Sequence, residues 1–421
     1  MSDGIPVTVL SGSLGAGKTT VVNHLLQHSG GRSIAVLVND MGEINVDAEL
    51  LSAGTDLAAD GGIAELSNGC ICCELQDDLE TEVARLASER SFEYLVVESS
   101  GISEPEPVGR LFTTSSRAAA AYDLDTMVTV VDTARFVETF GGKERIERET
   151  ASGADDRPLS DLLVEQIEFA DVILLNKCDL VDDADVERAE ALVEAFAPRA
   201  TRIRTVHGAV DPDEILGTGL FDPVETGSGA DWEGVEHGRG DGHDHGGRHE
   251  DHHDHGDDHA HRPDSDHDHD HAHPDEVYGV TSFTYVRRRP FHPGRIRDLF
   301  EELPPSVVRS KGLFWAADRD ETAFLLSQAG PNVRVEVLGP WLASLPDIER
   351  DLYRSNRPDV EWDDDHGDRR TELVFIGQDV DQESLVAALD DCLVTDDEWS
   401  DANGGDIFPR DEDDALEFAT R

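Results

Sequence analysis

Leu10-Ser-Gly-Ser-Leu-Gly-Ala-Gly-Lys-Thr-Thr20 is the stretch on which the architecture of this chain turns. Residues 5–10 before it have the apolar, β-branched composition of a buried strand, and residues 21–28 after it carry apolar side chains at helical spacing. Gly12, Gly15 and Gly17 let a backbone bend closely around phosphates, while the following helix N-terminus aims N–H groups and the positive end of its dipole at them. In the pattern Gly12-x4-Gly17-Lys18-Thr19, Lys18 reaches for the β and γ phosphates and the Thr19 hydroxyl for Mg²⁺, with Thr20 completing the set. A phosphate-binding loop between a strand and a helix predicts an α/β fold.

The neighbouring segments extend that prediction. Residues 33–39 form a second continuous apolar run, ending in the polar stretch Asn39-Asp40-Met-Gly-Glu43-Ile-Asn-Val-Asp47. Residues 92–98 form another and end in Glu98-Ser-Ser-Gly101; residues 125–131, 172–175 and 202–206 supply three more strands. Helical periodicity marks residues 74–89 and 185–196, with an amphipathic segment near 159–169. Strands alternating with helices imply a P-loop NTPase: a doubly wound, mostly parallel sheet with right-handed crossovers. The polar motifs follow strand ends, where open α/β sheets bind their ligands.

Asn176-Lys177-Cys178-Asp179 selects the nucleotide. Guanine presents N1–H and an exocyclic amine that a carboxylate such as Asp179 accepts from together; adenine lacks that pair of donors, so GTP is expected over ATP. Glu98 stands where a P-loop enzyme needs a carboxylate near Mg²⁺, and Gly101 permits close backbone approach to the γ-phosphate. Glu43, Asp47 and Glu104 are all candidates for activating water, and the sequence does not rank them.

Gly69-Cys70-Ile-Cys72-Cys73 gathers three of the five cysteines. Three thiolates suit Zn²⁺, which takes four tetrahedral ligands, so the local set leaves one position for water, a remote side chain or a client's ligand. A second metal-binding feature lies farther on: thirteen of the 18 histidines fall between His237 and His273, interleaved with Asp and Gly. That tract can take up divalent transition metals through neutral imidazole and is too polar to bury a core. Beyond it, alternating segments such as residues 279–286 and 333–338, with few helices between strands, predict a smaller α+β domain. The expected organisation is a GTPase domain over 1–221, a His/Asp-rich disordered linker over 222–276, a C-terminal α+β domain over 277–395 and a frayed acidic tail over 396–421.

Composition narrows the setting. Thirty-five basic residues against 91 acidic ones give a formal charge of -56, and only Lys18, Lys143, Lys177 and Lys311 are lysines. Such a balance repels nucleic acid and anionic membranes. Acid spread along both halves is the pattern of adaptation to high salt, where screening shortens self-repulsion. With no apolar run near the roughly 18 to 20 residues of a membrane helix, and Met1-Ser-Asp-Gly leading straight into the first strand, the expectation is a cytosolic protein.

These motifs together resemble the CobW-like metallochaperone GTPases. The resemblance rests on residues 12–20, Asn39-Asp40-Met-Gly-Glu43, Cys70-Ile-Cys72-Cys73, Glu98-Ser-Ser-Gly101 with Glu104-Pro105, and Asn176-Lys-Cys-Asp179. It extends to Arg309-Ser-Lys-Gly-Leu-Phe-Trp315, Arg370-Thr-Glu-Leu-Val-Phe-Ile-Gly377 and Asp390-Asp-Cys-Leu393 in the C-terminal part. Asp40 departs from the family's usual Glu. The resemblance implies slow GTP hydrolysis coupled to delivery of a metal, most often zinc, to a client apo-metalloprotein. Cobalt as cargo, or metal storage by the histidine tract, are the alternatives.

Overall fold

The computed structural model describes residues 4–38, 63–65, 83, 85–87, 92–113, 118–141, 158–222, 279–356, 360–399, 407–411 and 414–421. In its N-terminal part, β1 (Ile5–Ser11), β2 (Ile34–Val38), β3 (Ile63–Glu65), β4 (Tyr94–Glu98), β5 (Tyr122–Asp132), β6 (Val172–Asn176) and β7 (Thr201–Arg204) build one sheet in the order β3-β2-β4-β1-β5-β6-β7. Each pairing in it is parallel. This is the doubly wound sheet that the alternation of runs predicts. Strands β2 to β4 lie on one side of β1 and β5 to β7 on the other, so the crevice at the carboxyl end of β1 is the topological switch point.

The apolar runs are continuous because both sheet faces are covered. On one face, Val21, Val22 and Leu25 of α1 (Lys18–Gln27) pack on Leu10, Val36, Val96 and Val130. On the other, Val108, Leu111 and Phe112 of α2 (Pro105–Thr113) pack on Val7, Val9, Leu37 and Val97. Helices α3 (Thr133–Phe140), α4 (Leu159–Glu168) and α5 (Asp183–Phe196) complete the layer.

The C-terminal part is a second, antiparallel sheet: β8 (Val280–Arg287), β9 (Val307–Trp315), β10 (Thr322–Ala329), β11 (Asn332–Pro340), β12 (Thr371–Gln378) and β13 (Ala415–Ala419), ordered β13-β11-β10-β9-β12-β8. Ile296 and Phe300 of α6 (Pro293–Glu301) and Leu385 and Leu389 of α8 (Gln382–Asp391) cover Phe314, Phe324 and Phe375 on one face. Between them in sequence, α7 (Asp347–Asn356) lies exposed.

One expectation is corrected here. Residues 396–421 are not uniformly frayed: Asp396–Trp399 forms a short helix, α9, whose Trp399 packs on Trp315. Strand β13 pairs with β11 from Asn332↔Ala419 to Glu336↔Ala415. The acidic composition hid an alternation in which Leu416 and Phe418 reach the second sheet's core while Glu417 pairs with Arg334 at 3.0 Å.

The opposite face of the second sheet buries Leu313, Trp315, Ala323 and Trp341 in a small cluster of its own and shares the rest of its core with the first sheet. Val280, Val308, Ala329, Val374 and Ile376 share one buried cluster with Phe136, Phe140, Val164, Ile167, Leu192 and Phe196 of the N-terminal part. At that seam Glu168, the last residue of α4, accepts from Arg309 Nε at 2.9 Å and Nη2 at 3.1 Å and from Lys311 Nζ at 3.0 Å.

Candidate nucleotide-binding site

The loop after β1 bends as its glycines require. Gly12, Gly15 and Gly17 have φ of 134°, 76° and 107°. At Gly17 the reason is doubled, because a Cβ there would also stand 2.4 Å from Asn176 Nδ2. Lys18 is buried at the start of α1, and its Nζ donates to Gly12 O at 2.7 Å and Ser13 O at 3.2 Å. The ammonium is thereby held over the mouth of the loop, where it can meet phosphate oxygens. Thr20, on the first turn of α1, is exposed.

Strand β4 delivers the carboxylate. Leu10 and Glu98 are register partners across β1 and β4, and Thr19 Oγ1 donates to Glu98 Oε1 at 2.9 Å. Thr19 and Glu98 are hard oxygen donors meeting beside the phosphate loop, which is the donor chemistry that fits Mg²⁺. They would hold the ion, which when bound neutralises charge on the phosphates. Gly101 approaches the loop more closely than any side chain could: a Cβ at Gly101 would lie 2.6 Å from Leu14 N. Glu104 is exposed.

The loop at the end of β6, which carries the Asn176-to-Asp179 motif, is tied to the glycine loop by two contacts. Asn176 Nδ2 donates to Ala16 O at 2.9 Å, and its Oδ1 accepts from Thr205 Oγ1 at 3.2 Å and Gly208 N at 3.0 Å. Lys177, with φ of 62°, extends Nζ to Gly15 O at 2.7 Å. Asp179 sits in the short 3₁₀ turn Cys178–Leu180 and is exposed. Replacing Asp179 by Asn is expected to lower affinity for GTP by about 10- to 100-fold, the worth of hydrogen bonds to a charged group, while affinity for ATP stays level. Competition titration with a fluorescent guanine nucleotide measures this, and unchanged selectivity would sink the assignment.

Two residues of this site escape a reading of motifs. Asp132, the register partner of Asn176, accepts from Lys177 Nζ at 2.7 Å through Oδ2 and caps α3 by accepting from Arg135 N at 3.2 Å through Oδ1. Thr133 Oγ1 donates to Asn176 O at 2.7 Å. The available signal was an acid followed by Thr at a strand's carboxyl end, beside a helical segment. Cys178 is half-buried and donates to Leu175 O at 3.1 Å, and Cys392 is buried, in keeping with structural thiols. Burial pushes the Cys392 thiol up to about 11.

Cys70, Cys72 and Cys73, the Asn39-to-Asp47 stretch with Asp40, Glu43 and Asp47, and the histidine tract all lie outside the described residues. Among the described residues, no group of three or more His, Cys, Asp or Glu side chains could hold a metal ion, and no helix is long and apolar enough to cross a membrane.

Comparison with known proteins gives this geometry a family. A model described as "CobW/HypB/UreG, nucleotide-binding domain" matches residues 6–204, and one described as "Cobalamin synthesis protein cobW C-terminal domain" matches residues 280–393. A zinc-regulated GTPase metalloprotein activator 1 from Dictyostelium discoideum is 37% identical over 421 residues, covering 93% of this chain and 80% of its own. The chain belongs to the CobW family. Two other relatives are a zinc chaperone CobW from Sinorhizobium sp, 32% identical over 249 residues (57% of this chain, 70% of its own), and a zinc chaperone YjiA from Escherichia coli (strain K12), 32% identical over 224 residues (52% and 62%). As a CobW-family P-loop GTPase, the chain needs three things at one sheet edge: charge compensation for phosphates, a cation shell and a base reader. Lys18, Thr19 with Glu98, and the loop containing Asn176 to Asp179 stand at that edge.

Proposed function

We propose that this GTPase couples hydrolysis to the transfer of Zn²⁺, held by Cys70, Cys72 and Cys73, to a client apo-metalloprotein in the cytosol. One observation carries the reading. Strand β3 runs parallel to β2 with Val38 opposite Glu65, and Val38 is in turn opposite Glu98, so the chain leaves β3 at the carboxyl edge where Glu98 meets Thr19. Cys70 follows five residues after Glu65. A thiolate segment starting from the edge that reads the γ-phosphate can be rearranged when that phosphate is lost, which changes its affinity for metal. The names of the relatives, zinc-regulated activator and zinc chaperone, support zinc as the cargo.

Replacing Cys72 by Ser tests the reading. Zinc affinity is expected to fall at least about 10- to 100-fold, on the scale of disrupted metal shells, with GTP affinity within twofold of the parent. Chelator competition measures the first quantity and nucleotide titration the second; parallel loss of both would mean a structural thiol and overturn the proposal. The histidine tract favours a second reading, metal storage. Deleting residues 234–273 separates the two, because zinc transfer that disappears with the tract points to storage.

A further inference from the structure

Helix α4 touches both the hydrolytic site and the C-terminal sheet through residues two positions apart. Gln166 is 0% exposed, and its Nε2 donates to Ser103 O at 3.1 Å. Ser103 closes the loop that starts at Glu98: its N–H donates to Ser100 O at 3.1 Å, and Gly101 of the same loop is packed against Leu14. The Gln166 carbonyl accepts from Thr129 Oγ1 of β5 at 2.6 Å, which fixes this turn of α4 to the sheet. Gln166 Oε1 is buried with no hydrogen-bond partner among the described residues.

The same helix is fastened to the second sheet at both ends. At its N-terminal end, Ser160 Oγ donates to Ala329 O at 3.1 Å and accepts from Asn332 Nδ2 at 3.0 Å. At its C-terminal end is the Glu168 pair with Arg309 and Lys311. Arg309 is 2% exposed and its Nη1 also donates to Ser327 Oγ at 2.9 Å and Gln328 O at 3.2 Å. Any rearrangement of β9 and β10 must therefore move α4, or break a buried ion pair.

We propose that Gln166 is a positioning residue for GTP hydrolysis, and that through it the C-terminal sheet sets the placement of the loop from Glu98 to Ser103. Gln166 acts through the loop's backbone and touches no reacting atom. The inference rests on that loop facing the γ-phosphate. A change in the C-terminal sheet that moves α4 then changes the turnover rate through the loop's placement.

The test uses the full chain. Gln166→Met removes the donor and keeps an unbranched side chain. It is expected to lower kcat for GTP by about tenfold, since small misplacements of a reacting assembly cost that much or more, with KM and nucleotide affinity within twofold. Thr129→Val, which frees the same turn from β5, is the second variant and is expected to move kcat in the same direction. Lys311→Met leaves the Arg309–Glu168 pair in place and is expected to lower kcat about threefold, within the usual range of coupling between sites. In the Gln166→Met background the Lys311 substitution is expected to add nothing. An unchanged kcat in folded Gln166→Met overturns the proposal, as does a loss of kcat matched by an equal loss of nucleotide affinity. Strict additivity with Lys311→Met overturns the link to the C-terminal sheet. Glu98→Gln serves as the control: if it turns over normally, the reading of the loop itself has failed rather than the role of Gln166.

Discussion

Replacing Lys18 by Ala is expected to lower GTP turnover by at least about 10²–10³-fold, the loss seen when one preorganised charge-stabilising donor is removed. The ammonium is buried where α1 begins and anchored by the Gly12 and Ser13 carbonyls, so it need not reorganise to meet developing charge on the phosphates. Its removal leaves two carbonyls at the loop mouth that water can satisfy, so stability is expected to change by only about 1 kcal/mol. Phosphate release at saturating GTP is the measurement. Turnover within threefold of the parent would mean that hydrolysis occurs elsewhere or that Lys18 has no part in it.

Arg309→Met is expected to destabilise the protein by up to about 3–5 kcal/mol, because it removes the bidentate partner of Glu168 in the seam between the sheets and leaves Lys311 as its remaining cation. Burial alone would raise the Glu168 carboxyl, yet Arg309 and Lys311 overcome it and hold it down at about 2. Its pKa is therefore lower folded than unfolded. The stabilisation from this pair is fully present above the unfolded value of 4.5 and is lost as pH falls from there through about 2. Thermal unfolding across that window should show the parent losing stability steeply. The Arg309→Met protein should lose less, since its Glu168 then gains from ionisation through Lys311 alone. Adding Glu168→Leu to Arg309→Met should recover most of the loss, because an apolar pair of similar volume replaces a buried ion pair at little cost. No recovery would place the role of Arg309 in its bonds to Ser327 and Gln328 instead.

The candidate nucleotide site is legible in the sequence because its parts are local. Residues 12–20 and 176–179 each carry their chemistry within one turn of chain, and parallel strands bring such turns to a common edge. Asp132 was hidden by being an ordinary acid in a chain with 91 of them; only its register opposite Asn176 distinguishes it. Arg309 lies in a stretch that marks the family, but its partner Glu168 stands 141 positions earlier on another element, and no local pattern links the two. Strand β13 failed for a different reason: acidity outweighed the Leu416 and Phe418 alternation in a window only five residues long. Arg309 and β13 belong to contacts across long sequence separation, while the motifs belong to single turns.

The core shared by the two sheets has a consequence for covalent continuity. Phe136, Phe140 and Ile167 on one side and Val308, Ala329 and Ile376 on the other bury one another, so neither sheet presents a finished surface alone. Cleavage anywhere in residues 223–278 should thus yield two polypeptides that co-purify and still hydrolyse GTP. Either half made by itself should aggregate, and mixing the halves during refolding should restore activity. Among the described residues, what joins the two sheets is the side-chain seam.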